Sequence, residues 1–542
     1  MDASKVFDYV IVGAGSAGCV LANRLSEDPS CRVLLLEAGG PDTNDFIHIP
    51  AGMAALFRTK DDWDLGTAYE PELNSRRVYL PRGKVLGGSS SINAMIYIRG
   101  ARSDWDGWAA QGCEGWSYDE VLPYFLRAED HARGASDVHG AGGPLTVSEP
   151  VERGELSQRF LDACAAAGMP ANDDFNGGTQ DGVGWYQTTI RDGKRCSTAV
   201  AYLHPVMDRP NLVVETWVHA AKVLFDGTRA VGVAGLRLGE ELVFHAEREV
   251  LVACGAYLSP QLLTLSGLGR PDELEQLQVP LVAESPGMGL GLVDHPTAGV
   301  TFTIDREISL KDALTDEALA AWMGGTGVLT TNPAPAGGFV RTKEGLGDPD
   351  VQLHFVPAIF EQEGLMPPPE HGFTLSACVL KPRSRGYVAV TSPDPTAKPA
   401  ICHNYLADPE DLAAQVAGVQ LALDVVAQGP LAELSPQPHL APASRDHADV
   451  EAHVRQTLQT IYHPVGTCRM GSDPTAVVDA QLRVRGVEGL RVVDASVLPD
   501  TPRGNTNAPV IALAERAADL IRGAGAAQPA QVAAAAPAAL AG

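Results

Sequence analysis

An α/β protein with an α+β second domain is the class the sequence predicts, and three observations predict it. A short β-rich run at residues 7–12 leads straight into a glycine-rich turn and a helical stretch. Between about 301 and 458 the chain changes to runs that alternate apolar and polar residues, separated by proline-rich breaks. At 542 residues it is too long for one hydrophobic core, so two or three packed units are expected. The expected architecture is a Rossmann-like domain on a parallel sheet, joined to a domain whose antiparallel sheet is covered by helices.

The opening unit is the most specific. Residues 7–12 and 32–36 read as parallel strands, with a helix from about Cys19 to Leu25 between them. Gly13-Ala14-Gly15-Ser16-Ala17-Gly18 is a GxGxxG fingerprint in its proper setting. Its glycines let backbone approach a pyrophosphate, which rests on the positive end of the helix. Glu37 ends the second strand at the distance expected of a carboxylate that hydrogen-bonds a ribose hydroxyl. NAD and FAD both carry ADP, so this unit alone leaves them undistinguished.

A second cluster, at residues 81–96, reads Pro-Arg-Gly-Lys-Val-Leu-Gly-Gly-Ser-Ser-Ser-Ile-Asn-Ala-Met-Ile. Gly83, Gly87 and Gly88 free backbone amides, and the serines add hydroxyl donors. A plain NAD dehydrogenase has no need of this second cradle, whereas a cofactor extending beyond its pyrophosphate does.

At these residues the chain resembles the glucose–methanol–choline family of FAD-dependent oxidoreductases. The resemblance rests on Arg82-Gly83-Lys84, Gly87-Gly88 and Asn93, on Trp63 and Tyr69-Glu70-Pro71 before them, and on Gly255-Ala256 with 259–263 after them. It continues through Pro286-Gly287, Asp294-His295-Pro296, the segment 462–467 (Tyr-His-Pro-Val-Gly-Thr) and the segment 491–496. It implies that Glu37, beside Ala38, binds the adenosine ribose and that residues around Ala220 touch the adenine. It also implies that Gly83, Val85, Gly88, Asn93 and Ala94 line the flavin ring, and that Asp494 and Ala495 hold the ribityl chain. Gly13, Gly15, Ser16, Gly18, Trp63, Arg82, Met95 and Thr506 complete the cofactor set. Ile92 stands where some relatives place a histidine bonded to the flavin, which implies non-covalent FAD. Gly291 stands where the family usually has asparagine, and Asp294-His295 reads as a turn with internal hydrogen bonds.

Oxidising an alcohol removes a proton from oxygen and a hydride from carbon. A base that is neutral near pH 7 suits the first task, and imidazole, with a reference pKa of ~6.5, is such a base. The resemblance makes His463 that base and Asn505 its hydrogen-bonding partner. Pro464 restrains the backbone beside the imidazole. A helix is expected from Asn507 to about Ile521, with Pro509 in its first turn, and the resemblance implies that its positive end faces the flavin's pyrimidine edge. The expected reaction is oxidation of a primary alcohol, electrons passing to oxygen or a quinone-like acceptor. The rival readings are a cyanohydrin lyase of the same family that keeps its flavin as a bystander, and an NAD-linked dehydrogenase.

Organisation follows from these placements. Residues 1–155, 205–300 and 460–522 are assigned to the FAD domain, 156–204 and 301–459 to the substrate domain, and the Ala/Pro-rich 523–542 to a disordered tail. Trp105, Trp108, Trp116, Tyr118 and Tyr124 read as core, and residues 137–143 as a loop. Runs 351–356 and 386–390 read as strands, 411–426 and 260–265 as helices, and His354 and His371 as polar candidates for the pocket. Hydrophobic content of 45% and charged content of 20% fit an ordinary globular enzyme. The 67 acidic and 41 basic residues leave a net charge of −26, which opposes binding to nucleic acid and anionic membrane. Nine scattered cysteines, with no Cys-x-x-Cys pair, predict neither a disulfide framework nor a metal site. No apolar run approaches the ~18 residues of a membrane helix, and the start has no signal-like region, so a cytoplasmic address is expected.

Overall fold

A computed structural model of the protein describes residues 5–523. The tail predicted at 523–542 therefore lies outside the described residues, save Gly523. A seven-stranded sheet forms the first layer. In space its strands run Leu212–Glu215, Val33–Leu36, Val6–Val12, Glu240–Val252, Arg229–Arg237 and His219–Asp226. Leu490–Val492 also pairs with Glu240–Val252, whose 13 residues serve Arg229–Arg237 along one half and Leu490–Val492 along the other. The strands up to Glu240–Val252, and Leu490–Val492, are parallel; the last two are antiparallel. Val12 pairs with Leu36 on one side and Val252 on the other, so three strands end together at Gly13. A crevice at the carboxyl ends of parallel strands is where such a sheet binds its ligand.

The second sheet is antiparallel, in the order Ala336–Val340, Val351–Val356, Gly372–Val379, Pro296–Thr303 and Gln437–Leu440, with Gln459–Thr460 also on Pro296–Thr303. Period-two alternation gives it two different faces. Val351, Leu353, Phe355, Phe373, Leu375, Ala377, Val300 and Phe302 share one apolar core with helices Glu155–Ala166, Pro409–Val426 and His447–Thr457. The intervening Thr301, His354, Val356, Thr374 and Ser376 face the cavity described below. Trp105, Trp108, Trp116 and Tyr124 are buried in the core of the first layer, with Tyr118 packed against it.

Two divisions drawn from the sequence cut strands of the second sheet: 300/301 falls inside Pro296–Thr303, and 459/460 inside Gln459–Thr460. The segment 156–204 begins in the second domain but returns at its end, where the Tyr202 carbonyl accepts a 2.6 Å bond from Asn23 on helix Ser16–Leu25. Among the described residues no helix is long and apolar enough to cross a membrane.

Candidate active site

One cavity runs between the layers, and most of the sequence-predicted residues meet on its wall. Gly13, Gly15, Ser16, Glu37, Ala38, Trp63, Arg82, Gly83, Gly88, Asn93, Ala94, Met95, Ala220, Asp494, Ala495 and Thr506 line it, together with His463 and Asn505. Gly18 and Val85 do not. A Cβ on Gly18 would lie 1.9 Å from the Gly13 carbonyl, so Gly18 lets the helix close onto the turn rather than face a ligand. Val85 is fully buried among Ile47, Met53 and Tyr79, and its carbonyl accepts from Gly88 N at 2.8 Å to close the second turn.

The two glycine turns touch. Gly88 has φ +53°, and a Cβ there would meet Gly15 Cα at 2.6 Å. They therefore form one continuous cradle. Two helix starts open on it, Ser16–Leu25 and Asn507–Arg522, neither capped by a side chain, and Ser16 Oγ donates to Asn507 Oδ1 at 2.7 Å. Uncapped helix N-termini offer unpaired N–H groups and a positive dipole to anionic or electron-rich groups. Glu37 accepts from Ala14 N (2.9 Å) and Gly39 N (2.8 Å), and burial pushes its carboxyl up to about 7. Asp494 accepts from Gly255 N, Ser259 Oγ and Ser496 N. Glycines that admit no side chain, two helix ends and a ribose-type carboxylate along one cleft fit a long dinucleotide that ends at the imidazole.

Around His463 the hydrogen bonds fix a protonation pattern. His295 Nε2 lies 2.9 Å from the Leu380 carbonyl, which only accepts, so Nε2 carries the proton. Burial pushes the His295 pKa down to about 4 and keeps the ring neutral, leaving Nδ1 as an acceptor. His463 Nδ1, 3.0 Å away, is then the donor. The proton-free nitrogen of His463 is Nε2, and it faces Asn505 Nδ2 at 3.3 Å. Asn505 Oδ1 is occupied by Gln352 Nε2 at 3.2 Å, which turns the amide's N–H side toward the imidazole. Burial, then the neighbouring His295, His354 and Arg82, hold His463 well below its ordinary pKa.

Asp294 supports this geometry from behind. It accepts from the backbone N–H of both His295 (2.9 Å) and His463 (2.7 Å), and from the hydroxyls of Tyr405 and Thr460. Tyr462 adopts φ +73°, a left-handed conformation costly for a bulky residue, to turn the chain into His463. Reading Asp294-His295 as a turn captured the local bond and missed that the His295 ring bonds the base. Arg195 was also missed. It is fully buried and holds Asn93 through its carbonyl (2.6 Å) and its side-chain oxygen (2.8 Å), bracing the second turn. His354 lines the cavity as expected. His371 is away from it, half-buried and bonded to Ser309 Oγ at 2.9 Å.

Fold and site together define a dinucleotide-dependent oxidoreductase whose second domain closes over the reactive end. The pattern of the GMC oxidoreductase family matches residues 7–297 with its N-terminal part and 382–514 with its C-terminal part. The chain is 43% identical to choline dehydrogenase, mitochondrial, of Mus musculus, over 95% of this chain and 89% of the relative. It is 42% identical to alcohol dehydrogenase (acceptor) of Pseudomonas putida, over 95% and 96%. Among solved structures it resembles pyridoxine 4-oxidase from Mesorbium loti, with TM-score 0.88 and 31% identity over 96% of this chain and all of that one. The protein belongs to the GMC oxidoreductase family; it is an FAD-dependent oxidoreductase acting on CH–OH groups.

Proposed function

We propose that the protein oxidises a primary alcohol to the aldehyde, with His463 as base and non-covalently bound FAD. Bound FAD supplies the hydride acceptor. His463 Nε2 takes the hydroxyl proton, and Asn505 Nδ2 donates to the same oxygen without competing for the proton. His295 keeps His463 in the tautomer whose free lone pair faces the substrate. The second sheet lines this end of the cavity and His463 is buried there, which strengthens each of these interactions. Glu37 would hold the adenosine ribose, the turns at Gly13 and Gly83–Gly88 the pyrophosphate and ring, and Asp494 the ribityl chain. Ile92 offers no nucleophile for a covalent link, which supports the non-covalent reading.

The single observation that carries this reading is the Leu380–His295–His463–Asn505 relay, which leaves one basic nitrogen and one amide donor side by side on the cavity wall. The names of the relatives, dehydrogenases of choline and of alcohols, support an alcohol as substrate. Electrons then pass to oxygen or to a quinone-like acceptor. Anaerobic mixing of the yellow protein with a panel of alcohols tests the reading: at least one should bleach the flavin, and admitting air then separates an oxidase, which recolours, from a dehydrogenase, which does not. A flavin that no alcohol bleaches would point to a lyase or to another reaction.

A further inference from the structure

We infer that Arg195 is a positioning residue for the flavin: its buried positive charge, which no acid of the protein neutralises, acts through Asn93 to make the flavin easier to reduce. This rests on the placement of Asn93 beside the flavin ring, and it holds whichever alcohol is oxidised.

Arg99 and Arg195 are both almost fully enclosed, 1% and 2% exposed, and they are partnered differently. Arg99 has the Glu129 carboxylate at 2.6 Å. Arg195, on the short strand Lys194–Arg195, has only neutral acceptors. Its Nε donates to the Ile47 carbonyl at 2.6 Å. Its Nη1 donates to the carbonyls of Asn93 (2.6 Å) and Ser90 (3.3 Å) and to Asn93 Oδ1 (2.8 Å), while Nη2 meets no acceptor. It makes no ion pair among the described residues, and burial alone pulls its pKa down, to about 9. The group therefore stays charged at neutral pH. A guanidinium sealed from water without a carboxylate is costly to keep. Its field is cancelled neither by solvent nor by a counter-ion, so it reaches whatever lies close by.

Asn93 carries that field to the cavity. Arg195 stands behind the wall, whereas Asn93 is part of it. Asn93 Oδ1 accepts from Arg195 Nη1 and from Met95 N at 3.0 Å, and because both partners are donors the atom between them is the oxygen. The Nδ2 group has no partner among the described residues and is left for what the cavity holds. A cation on the oxygen polarises the amide and strengthens the bonds its N–H groups donate. A ring that takes up a hydride gains negative charge. One amide away from an unneutralised cation, that ring is stabilised more when reduced than when oxidised.

The test reads the midpoint potential of the holoenzyme's flavin, by slow anaerobic reduction beside a reference dye. Arg195→Met should shift the two-electron equilibrium against the dye toward oxidised flavin by about 10-fold or more, with ~30 mV for each factor of ten. Arg195→Lys keeps the charge but loses the guanidinium's bonds, and should hold that equilibrium within about twofold of the wild type while releasing FAD more readily. Two variants that shift alike, or that both leave the potential in place, would make Arg195 a brace of the turn and overturn the inference. If the methionine variant yields no holoenzyme, the lysine variant decides: a potential held while FAD affinity falls supports the charge role, and one that falls with the affinity overturns it. Asn93→Ala detects the other failure. It should move the flavin's absorption bands and lower its potential. If it does neither, Asn93 does not border the ring, and the placement falls together with this inference.

Discussion

Two pairs of buried histidines differ in one respect, and that respect sets their chemistry. His295 and His463 meet edge-on, 5.2 Å between ring centres at 89°, while His131 and His139 stack at 3.8 Å and 21°. All four are almost fully enclosed. Beside the first pair the carboxylate, Asp294, bonds the two backbone N–H groups and the hydroxyls of Tyr405 and Thr460 rather than either ring, and burial keeps both rings neutral. In the second pair the carboxylates face the ring itself: Asp174 lies 2.8 Å from His139 Nε2 and Glu129 3.5 Å from its Nδ1. Burial pulls His139 down, but these two acids outweigh it and hold the ring at about 9, charged at neutral pH. His131 beside it is pushed down, first by burial and then by that charge. A buried histidine is thus a base or a cation according to where its acid points. The ligand-type atoms of Glu129, His131 and His139 lie within 4.8 Å of one another. Arg99, 2.6 Å from Glu129 and 3.5 Å from His139, already occupies the place of a cation there.

The contrast breaks most visibly at the base. His463→Ala should lower the rate of flavin reduction by ~10²–10⁴ while the protein stays yellow; an unchanged rate removes His463 from the chemistry. His295→Leu comes next, with a loss of about 10-fold, since the base survives but its tautomer is no longer specified. A positioning role has a second signature. In the wild type His463 titrates well below 6.5, so the rate should be flat at neutral pH and fall only in acid. Without His295 that fall should move up toward 6.5, and His295→Asn, whose amide oxygen still accepts the Nδ1 proton, should restore part of the rate. A profile that does not move in the leucine variant would leave His295 a packing residue. Asp174→Asn, by contrast, should leave flavin reduction alone and cost only stability, roughly 3 kcal/mol, as a buried ion pair loses one partner.

Local pattern decided what the sequence made legible. The alternation at 351–356 is the strand Val351–Val356, and the apolar periodicity at 411–426 is the helix Pro409–Val426, extended by a proline in its first turn. The helix read from 260 begins a turn earlier, at Gly255, where the positive φ and the bond from Gly255 N to Asp494 depend on a residue 239 positions away. The glycine turns were legible because their spacing is their function. His295 was not, because its ring meets His463 across 168 residues while its backbone makes an ordinary turn bond. His139 read as part of a loop for the same reason: Glu129 and Asp174 reach it from separate elements. Chemistry made by local backbone is readable; chemistry made by distant side chains waits for the fold.

The smallest effect is the most diagnostic of the comparison, because the two kinds of histidine respond to pH in opposite directions. His139, raised from about 6.5 to about 9, contributes stability that is fully present below 6.5 and is lost as pH rises through about 9. The shift is worth about 3 kcal/mol at most. His295 and His403, pushed down to about 4 by burial, work the other way: the unfolded chain takes their protons first, so stability falls as pH drops from 6.5 toward 4. Stability by denaturant titration should therefore decline on both sides of neutrality. In a His139→Gln variant the alkaline decline should shrink and the acid one persist, so the wild-type advantage is largest at or below pH 6.5 and fades by pH 9 and above. An advantage that stays constant across that range would mean His139 is held by packing rather than by charge, and the two pairs would differ in geometry alone.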